Sequence, residues 1–181
     1  MFFKALNALR YARDEMERRY AWLAQQGYRN LEERGGLYRL VVVIDELANL
    51  ILTSKKETET LIETIAAKGR AAGVHLIVAT QNPTVKVITG RIKANIPTRI
   101  AFATASITES RVILDYGEAE KLTGAGDGLY KSPYNINLVR FQSPYLSDNE
   151  IRGAIQNTEY MNPQLAEFMR VYISKEQRAT V

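Results

Sequence analysis

Residues 41–46 read Val-Val-Val-Ile-Asp-Glu, and the fold class can be inferred from this short stretch. An uninterrupted β-branched run is typical of a strand whose two faces are both covered in a parallel sheet. The two acids follow where such a strand ends, and open α/β sheets bind ligands in the crevice outside the carboxyl ends of their strands. We therefore predict a buried parallel strand over residues 40–44, with Asp45 and Glu46 at a ligand crevice.

Alternating helices and strands are predicted on both sides of this stretch. Apolar spacing and turn residues predict helices over 3–26, 57–72 and 110–114, a loop over 53–56, and strands over 74–80 and 99–104. A glycine-rich turn at 124–128 leads into a hairpin of residues 129–131 and 138–142, and Ser147 caps a later helix. Strand, helix, strand, crossover, strand is an α/β signature. We predict one α/β domain over residues 1–156 and a helical tail over residues 157–181.

Composition excludes several classes of protein. The 181 residues are 46% hydrophobic, enough for one substantial core, and they contain no cysteine. A disulfide framework, a thiolate zinc site and a cysteine nucleophile are therefore excluded, and a cytoplasmic location is expected. No apolar run is long enough to cross a bilayer, so we expect membrane association only through a segment outside this chain. The net charge of +4 favours polyanions only slightly.

The acid pair suggests phosphoryl-transfer chemistry. Asp45 would hold Mg²⁺, and Glu46 would orient and deprotonate a water that attacks a phosphoryl group, as in a Walker B pattern. Gln81 follows the next predicted strand, so its amide would stand near Asp45 if the two strands are neighbours, and it would sense the γ-phosphate of ATP. Alternatively, Asp45 and Glu46 only end a strand and cap a helix, and Gln81 only bonds to loop backbone. Lone His75 is expected to be structural.

Three long segments resemble the FtsK/SpoIIIE family of DNA translocases. They are residues 41–48, residues 68–81 and residues 87–102, and shorter similar segments at 15–20, 110–115 and 124–130 extend the likeness to about Ile155. The resemblance implies a RecA-like core of the P-loop NTPase type, with a predominantly parallel sheet flanked by helices. It also implies a homo-hexameric ring around double-stranded DNA that uses ATP and Mg²⁺.

The resemblance also assigns roles to basic residues. Arg70 matches an arginine that is thought to reach a neighbouring subunit's ATP, and Arg19 is a second candidate for nucleotide binding. The alternative for Arg70 is a favourable contact with the dipole of its own helix. Lys86, Arg91 and Lys93 would line the pore and bind DNA phosphates, unless they are incidental charges of a solvated loop.

Two residues depart from the family pattern where cations are usual. Asn82 stands where the family usually has arginine, and Ile107 where lysine is common. We therefore expect DNA binding that is weaker or differently placed.

A phosphate-binding loop of the form Gly-x-x-x-x-Gly-Lys-Ser/Thr does not occur in the sequence. In the family that loop precedes the first helix of this chain. We therefore expect the isolated chain to be inactive as an ATPase, and three explanations stay open: a fragment, a truncated reading frame, or a phosphate-loop segment or subunit that is supplied separately. Two alternatives stay open: a non-hydrolysing module that assembles with intact motors, and an ATPase ring that serves conjugation or secretion. Roles in chromosome partition, cell division, sporulation or element transfer are equally open.

Overall fold

The computed structural model describes residues 2–35 and 38–156. The chain divides into two compact units, Met1–Pro97 and Thr98–Val181, and each is described by itself. The first contains α1 (Phe2–Gln25), α2 (Leu31–Arg34), β1 (Leu40–Ile44), α3 (Leu47–Ala72), β2 (Val74–Val78) and α4 (Gly90–Asn95). The second contains β3 (Arg99–Phe102), α5 (Ile107–Leu114), a 3₁₀ turn (Ala119–Lys121), β4 (Asp127–Lys131), β5 (Val139–Gln142) and α6 (Asp148–Gln156). The predicted tail, residues 157–181, lies outside the described residues.

In the first unit, β1 and β2 pair in parallel, as predicted, and one of their faces is covered. Leu40, Val42 and Ile44 point into a core formed with apolar side chains of α1 and α3, among them Met16 and Ile62. Side chains alternate between the faces of a strand, so the residues between them point away from this core.

The other face of β1 and β2 carries apolar side chains that are exposed. Val41, Val43 and Ile77 are 50%, 64% and 55% exposed, respectively. The prediction that β1 is buried on both faces is therefore wrong for the described residues, although its bounds, 40–44, are confirmed. The physical reason is that α1 and α3 contribute to the core on a single face of the sheet.

Helix α3 starts earlier than the sequence predicted. The expected loop over 53–56 is reduced to a kink at Ser54, whose φ of −153° and ψ of 79° are not helical. The Thr58 hydroxyl donates a hydrogen bond to the Leu50 carbonyl across this kink, so a carbonyl freed by the break keeps a partner. The predicted end of the helix is confirmed, because Gly73 adopts the left-handed conformation that glycine tolerates best.

The second unit contains an antiparallel sheet with the strand order β3-β4-β5. The predicted hairpin is confirmed as the β4–β5 pair. A predominantly parallel sheet therefore describes the first unit only. The core of this sheet centres on Ala101, Leu114, Ala119 and Leu129.

The start of α6 follows a local sequence signal. Ser147 caps α6 as predicted: its Oγ accepts a hydrogen bond from the Glu150 N–H at 3.3 Å, and the Glu150 carboxylate accepts one from the Ser147 N–H at 2.8 Å. Among the described helices, none combines the length and the apolar character that a bilayer crossing requires.

Candidate active site

The backbone segments that follow β1 and β2 run side by side. Beyond the last strand pair, Ile44 and Val78, the Ala79 N–H donates to the Ile44 carbonyl at 2.7 Å, and the Leu47 N–H donates to the Ala79 carbonyl at 2.9 Å. These backbone bonds continue the parallel alignment past the strands. As a result, the acid pair after β1 and the polar residues after β2 meet at one edge of the sheet.

Glu46 makes the central contacts at this edge. Its Oε1 accepts hydrogen bonds from the Thr80 hydroxyl at 2.5 Å and from the Ala48 N–H at 2.9 Å. Its Oε2 accepts a hydrogen bond from the Gln81 N–H at 2.8 Å. The carboxylate therefore caps α3, as the alternative interpretation expected, and also joins the two strand ends, as the catalytic interpretation needs.

These contacts stabilise the ionised form of Glu46. Burial acts to raise the pKa of its carboxyl group, but the hydrogen bonds from Thr80, Gln81 and Ala48 outweigh burial and hold the pKa below the usual value. Glu46 thus stays a carboxylate at neutral pH, which is the form that a general base requires.

Asp45 is exposed at the same edge. In the part of the chain that the structure describes, no group of three or more His, Cys, Asp or Glu side chains could hold a metal ion. Mg²⁺ typically binds proteins through one or two carboxylates and takes its remaining ligands from waters and phosphate oxygens. A single carboxylate at Asp45 fits that chemistry.

Gln81 contributes to this edge through its backbone N–H, and the residue itself is exposed. The sequence expectation that Gln81 lies near the acid pair therefore agrees with the geometry. The γ-phosphate role of its side-chain amide stays a prediction.

Arg70 lies at the opposite edge of the sheet. It occupies the last turn of α3, just before Gly73, whose carbonyl accepts a hydrogen bond from the Leu40 N–H at the start of β1. The strands rise about 3.3 Å per residue, so roughly 15 Å separates this edge from Glu46. Arg70 is exposed, and its role at the ATP of a neighbouring subunit stays a prediction.

The side chain of Arg19 is buried in the first unit. Only 6% of the residue is exposed; its Nε binds Glu15 Oε1 at 2.7 Å, and one terminal nitrogen donates to the carbonyls of Tyr38, Ala72 and Gly73. The expected role of Arg19 in nucleotide binding gains no support from this position. Its contacts instead hold the turn of α3 that carries Arg70.

The three basic residues expected to bind DNA differ in their surroundings. Lys86 is exposed in the turn before α4. Arg91 pairs with Glu63 at 2.8 Å, and Lys93 is half-buried. Buried Val87 and Ile92 anchor the segment to the core, so these cations lie on one anchored segment of the first unit.

Sequence reasoning assigned no role to Thr80. A signal was present, because Glu46 and Thr80 each lie two residues beyond the paired residues Ile44 and Val78. Parallel strands in that register place the two side chains opposite each other.

Known proteins resemble this chain in sequence and in fold. Residues 35–85 match the model of the FtsK/SpoIIIE family. The DNA translocase FtsK of Chlorobaculum tepidum is 46% identical over 172 residues, which cover 92% of the chain and 21% of that relative. The DNA translocase SpoIIIE of Bacillus subtilis is 42% identical over 192 residues, covering 98% of the chain and 24% of that relative.

Solved structures agree with this relationship. The pCW3 conjugation coupling protein TcpA, determined with ATPγS, matches with a TM-score of 0.74 and 31% identity, over 83% of this chain and 46% of TcpA. The cytoplasmic domain of the type VII secretion ATPase EccC of Thermomonospora curvata matches with a TM-score of 0.68 and 28% identity, over 78% of this chain and 17% of EccC. The fold is thus a partial RecA-like fold of the P-loop ATPase type. The chain spans about a fifth of the length of the curated relatives cited, and it belongs to the FtsK/SpoIIIE family.

Proposed function

We propose that this chain forms the catalytic half of an ATP-driven motor that moves double-stranded DNA. The observation that carries the proposal is the Glu46 carboxylate, held at the carboxyl ends of two parallel strands by Thr80 and Gln81. A fixed, ionised carboxylate at this place suits the activation of a water that attacks a phosphoryl group.

The other residues of the edge take separate roles in this proposal. Asp45 would hold Mg²⁺, which supplies charge neutralisation at the phosphates when bound. Gln81 would contact the γ-phosphate through its side-chain amide. Arg70, at the opposite edge of the sheet, would serve the ATP of a neighbouring subunit, since it lies too far from its own Glu46. A ring of subunits, as in the hexamer that the family resemblance implies, gives each Arg70 such a neighbour.

The uncovered face of β1 and β2 supports the need for a further segment. Parallel sheets occur almost only with both faces covered, yet Val41, Val43 and Ile77 are exposed. We infer that a phosphate-loop-bearing segment or subunit covers this face and completes the ATP site. The assembled motor would work in the cytoplasm, with any membrane attachment outside this chain.

The test uses a fusion of this chain to the segment that precedes the matched region in the Chlorobaculum tepidum relative, where the family resemblance implies a phosphate loop. DNA-stimulated ATP hydrolysis is measured for the fusion and for its E46Q variant. Loss of a general base lowers such a rate by a factor of about 10² to 10⁴. The matched control is E17Q, which removes an exposed acid on α1 and is expected to leave the rate unchanged. Unchanged hydrolysis in E46Q contradicts the proposal.

A different cargo is a second candidate, because the two solved structures cited belong to a conjugation coupling protein and a secretion ATPase. Salt dependence separates a DNA cargo from a protein cargo. Binding through several phosphate contacts weakens steeply as salt rises, whereas a flat response favours protein cargo.

A third candidate is a non-hydrolysing module that joins intact motors, and the exposed sheet face is the observation that favours it. Mixing the chain with an intact relative distinguishes it. Co-assembly together with inhibition of ATP hydrolysis supports the module, and the absence of both removes it.

A further inference from the structure

Thr80 occupies a defined place relative to Glu46. The pairing of Ile44 with Val78, continued by the backbone bonds of Ala79, sets Glu46 and Thr80 opposite each other at the ends of β1 and β2. The hydroxyl of Thr80 donates to Glu46 Oε1 at 2.5 Å. This contact joins residues that are 34 positions apart in the sequence, so it depends on the sheet and not on local structure.

The direction of this hydrogen bond follows from the partners of the Thr80 hydroxyl. The Asn82 N–H donates to the Thr80 Oγ1 at 3.1 Å, and a backbone N–H only donates. The hydroxyl proton is therefore free to point at the carboxylate, which only accepts when ionised. Thr80 thus links the segment that begins at Asn82 to Glu46 in one fixed orientation.

The two oxygens of Glu46 differ in what they can still bind. Each carboxylate oxygen offers about two acceptor positions. Oε1 already accepts from Thr80 and Ala48, whereas Oε2 accepts from Gln81 and keeps about one position free. A water bound to Glu46 would therefore bind at Oε2.

We propose that Thr80 is a positioning residue that occupies Oε1 of Glu46 and leaves Oε2 for the attacking water. This inference rests on the proposed function, because it assigns a partner to the proposed general base. Without the Thr80 hydroxyl, Oε1 keeps its bond from Ala48 but regains a free acceptor position, so a water can bind at either oxygen and loses its single defined site. A misplaced water is costly, because a shift of about 1 Å in a reacting group can lower a rate about a hundredfold.

The experiment compares Thr80→Val, which keeps the shape and removes the hydroxyl, with Thr80→Ser, which keeps the hydroxyl. In the fusion, T80V is expected to lower kcat about tenfold to a hundredfold while KM for ATP changes less than about twofold. T80S is expected to stay within about threefold of the parent kcat. A kcat of T80V within about twofold of the parent overturns the role of Thr80.

A double variant distinguishes positioning from a general structural effect. If Thr80 acts through Glu46, adding T80V to E46Q lowers the residual rate no further. An equal additional loss in the E46Q background overturns the proposal. Retained hydrolysis in E46Q alone contradicts the proposed function, whereas loss in E46Q with full activity in T80V contradicts only the role of Thr80.

The contact itself is tested without ATP hydrolysis in the chain as it stands. The amide resonance of Ala48 reports its hydrogen bond to Oε1 of Glu46, the oxygen that Thr80 also binds. T80V is expected to shift this resonance, and T80S to leave it near its parent position. An unshifted Ala48 resonance in T80V overturns the positioning role, whatever the activity of the fusion.

Discussion

The guanidinium of Arg19 donates a hydrogen bond to the carbonyl oxygen of Ala72 at 3.1 Å, across 53 positions of sequence. The last carbonyl groups of a helix have no partner within the helix, and this contact from α1 satisfies one of them at the end of α3. The same guanidinium pairs with the buried carboxylate of Glu15. The side chain therefore ties the first helix to the turn that carries Arg70.

Removing this side chain should strongly destabilise the first unit. R19A removes one of the two arginines that bind the buried Glu15 carboxylate and takes a donor from the Ala72 carbonyl, and each such lost partner costs about 1–3 kcal/mol. R18A is the matched control, because Arg18 binds the same carboxylate from a side chain that is 67% exposed, and such pairs contribute about 0–1 kcal/mol. Chemical denaturation of both variants gives the two free energies of unfolding. Equal losses of unfolding free energy in R19A and R18A would show that the buried arginine contributes no more to stability than the exposed one.

A charged substitution on the exposed face of β1 should destabilise the protein only when a further segment covers that face. V43K is expected to change the unfolding free energy of the chain alone by less than about 0.5 kcal/mol, because Val43 is 64% exposed there. In the fusion with a phosphate-loop segment, the same lysine would be covered, and destabilisation of about 3 kcal/mol is expected. V85K, at an apolar residue that is 70% exposed and lies outside the sheet, is the control. Similar small effects of V43K in the chain and in the fusion contradict covering of this face.

The stability of the second unit is expected to depend on pH through Asp127. Arg140 binds both of its carboxylate oxygens, at 2.8 and 2.6 Å. The Arg140 guanidinium first, and the N–H and hydroxyl of Thr123 after it, hold the pKa of Asp127 well below its usual range despite burial. A pKa depressed in the folded state gives stabilisation that is present above the unfolded pKa of about 3.9 and is lost as pH falls toward the folded value.

The melting temperatures of the parent and D127N test this dependence. The parent should exceed D127N by the largest margin near neutral pH, and the margin should shrink as pH falls below about 4. R140Q removes the main cause of the depressed pKa of Asp127. In this variant, which keeps Asp127, the melting temperature should therefore change less with pH than in the parent. A margin that stays constant between about pH 7 and pH 3 would rule out Asp127 as the titrating group.

Duplex binding should respond to the cations of the segment before and within α4. Each phosphate contact steepens the dependence of log affinity on log salt by about 0.9, so K86A is expected to reduce the slope by about one. E63Q removes the carboxylate that pairs with Arg91 and so frees this arginine to bind a phosphate. It should therefore strengthen duplex binding and steepen the dependence of log affinity on log salt. E17Q controls for the loss of one negative charge. Unchanged slopes in K86A and E63Q would place the DNA contact elsewhere.

Features that depend on neighbouring residues could be predicted from the sequence alone. Strand β1 has its predicted bounds because a β-branched run favours extended backbone. Gly73 ends α3 and Ser147 starts α6 because left-handed backbone and side-chain capping are local properties of those residue types. The placement of Asp45, Glu46 and Gln81 at one edge also followed from the parallel pairing that the α/β pattern implied.

The partners of these residues, by contrast, depend on how distant elements pack in the folded chain. The Glu46 contact with Thr80 and the Arg19 contact with Ala72 join positions 34 and 53 residues apart, and no local pattern encodes such pairs. Burial of β1 on one face alone is likewise decided by which helices pack on the sheet, since the run of Val41–Val43 is equally apolar on both sides. Periodicity specifies where a strand forms, whereas the packing of distant elements specifies what each of its faces meets.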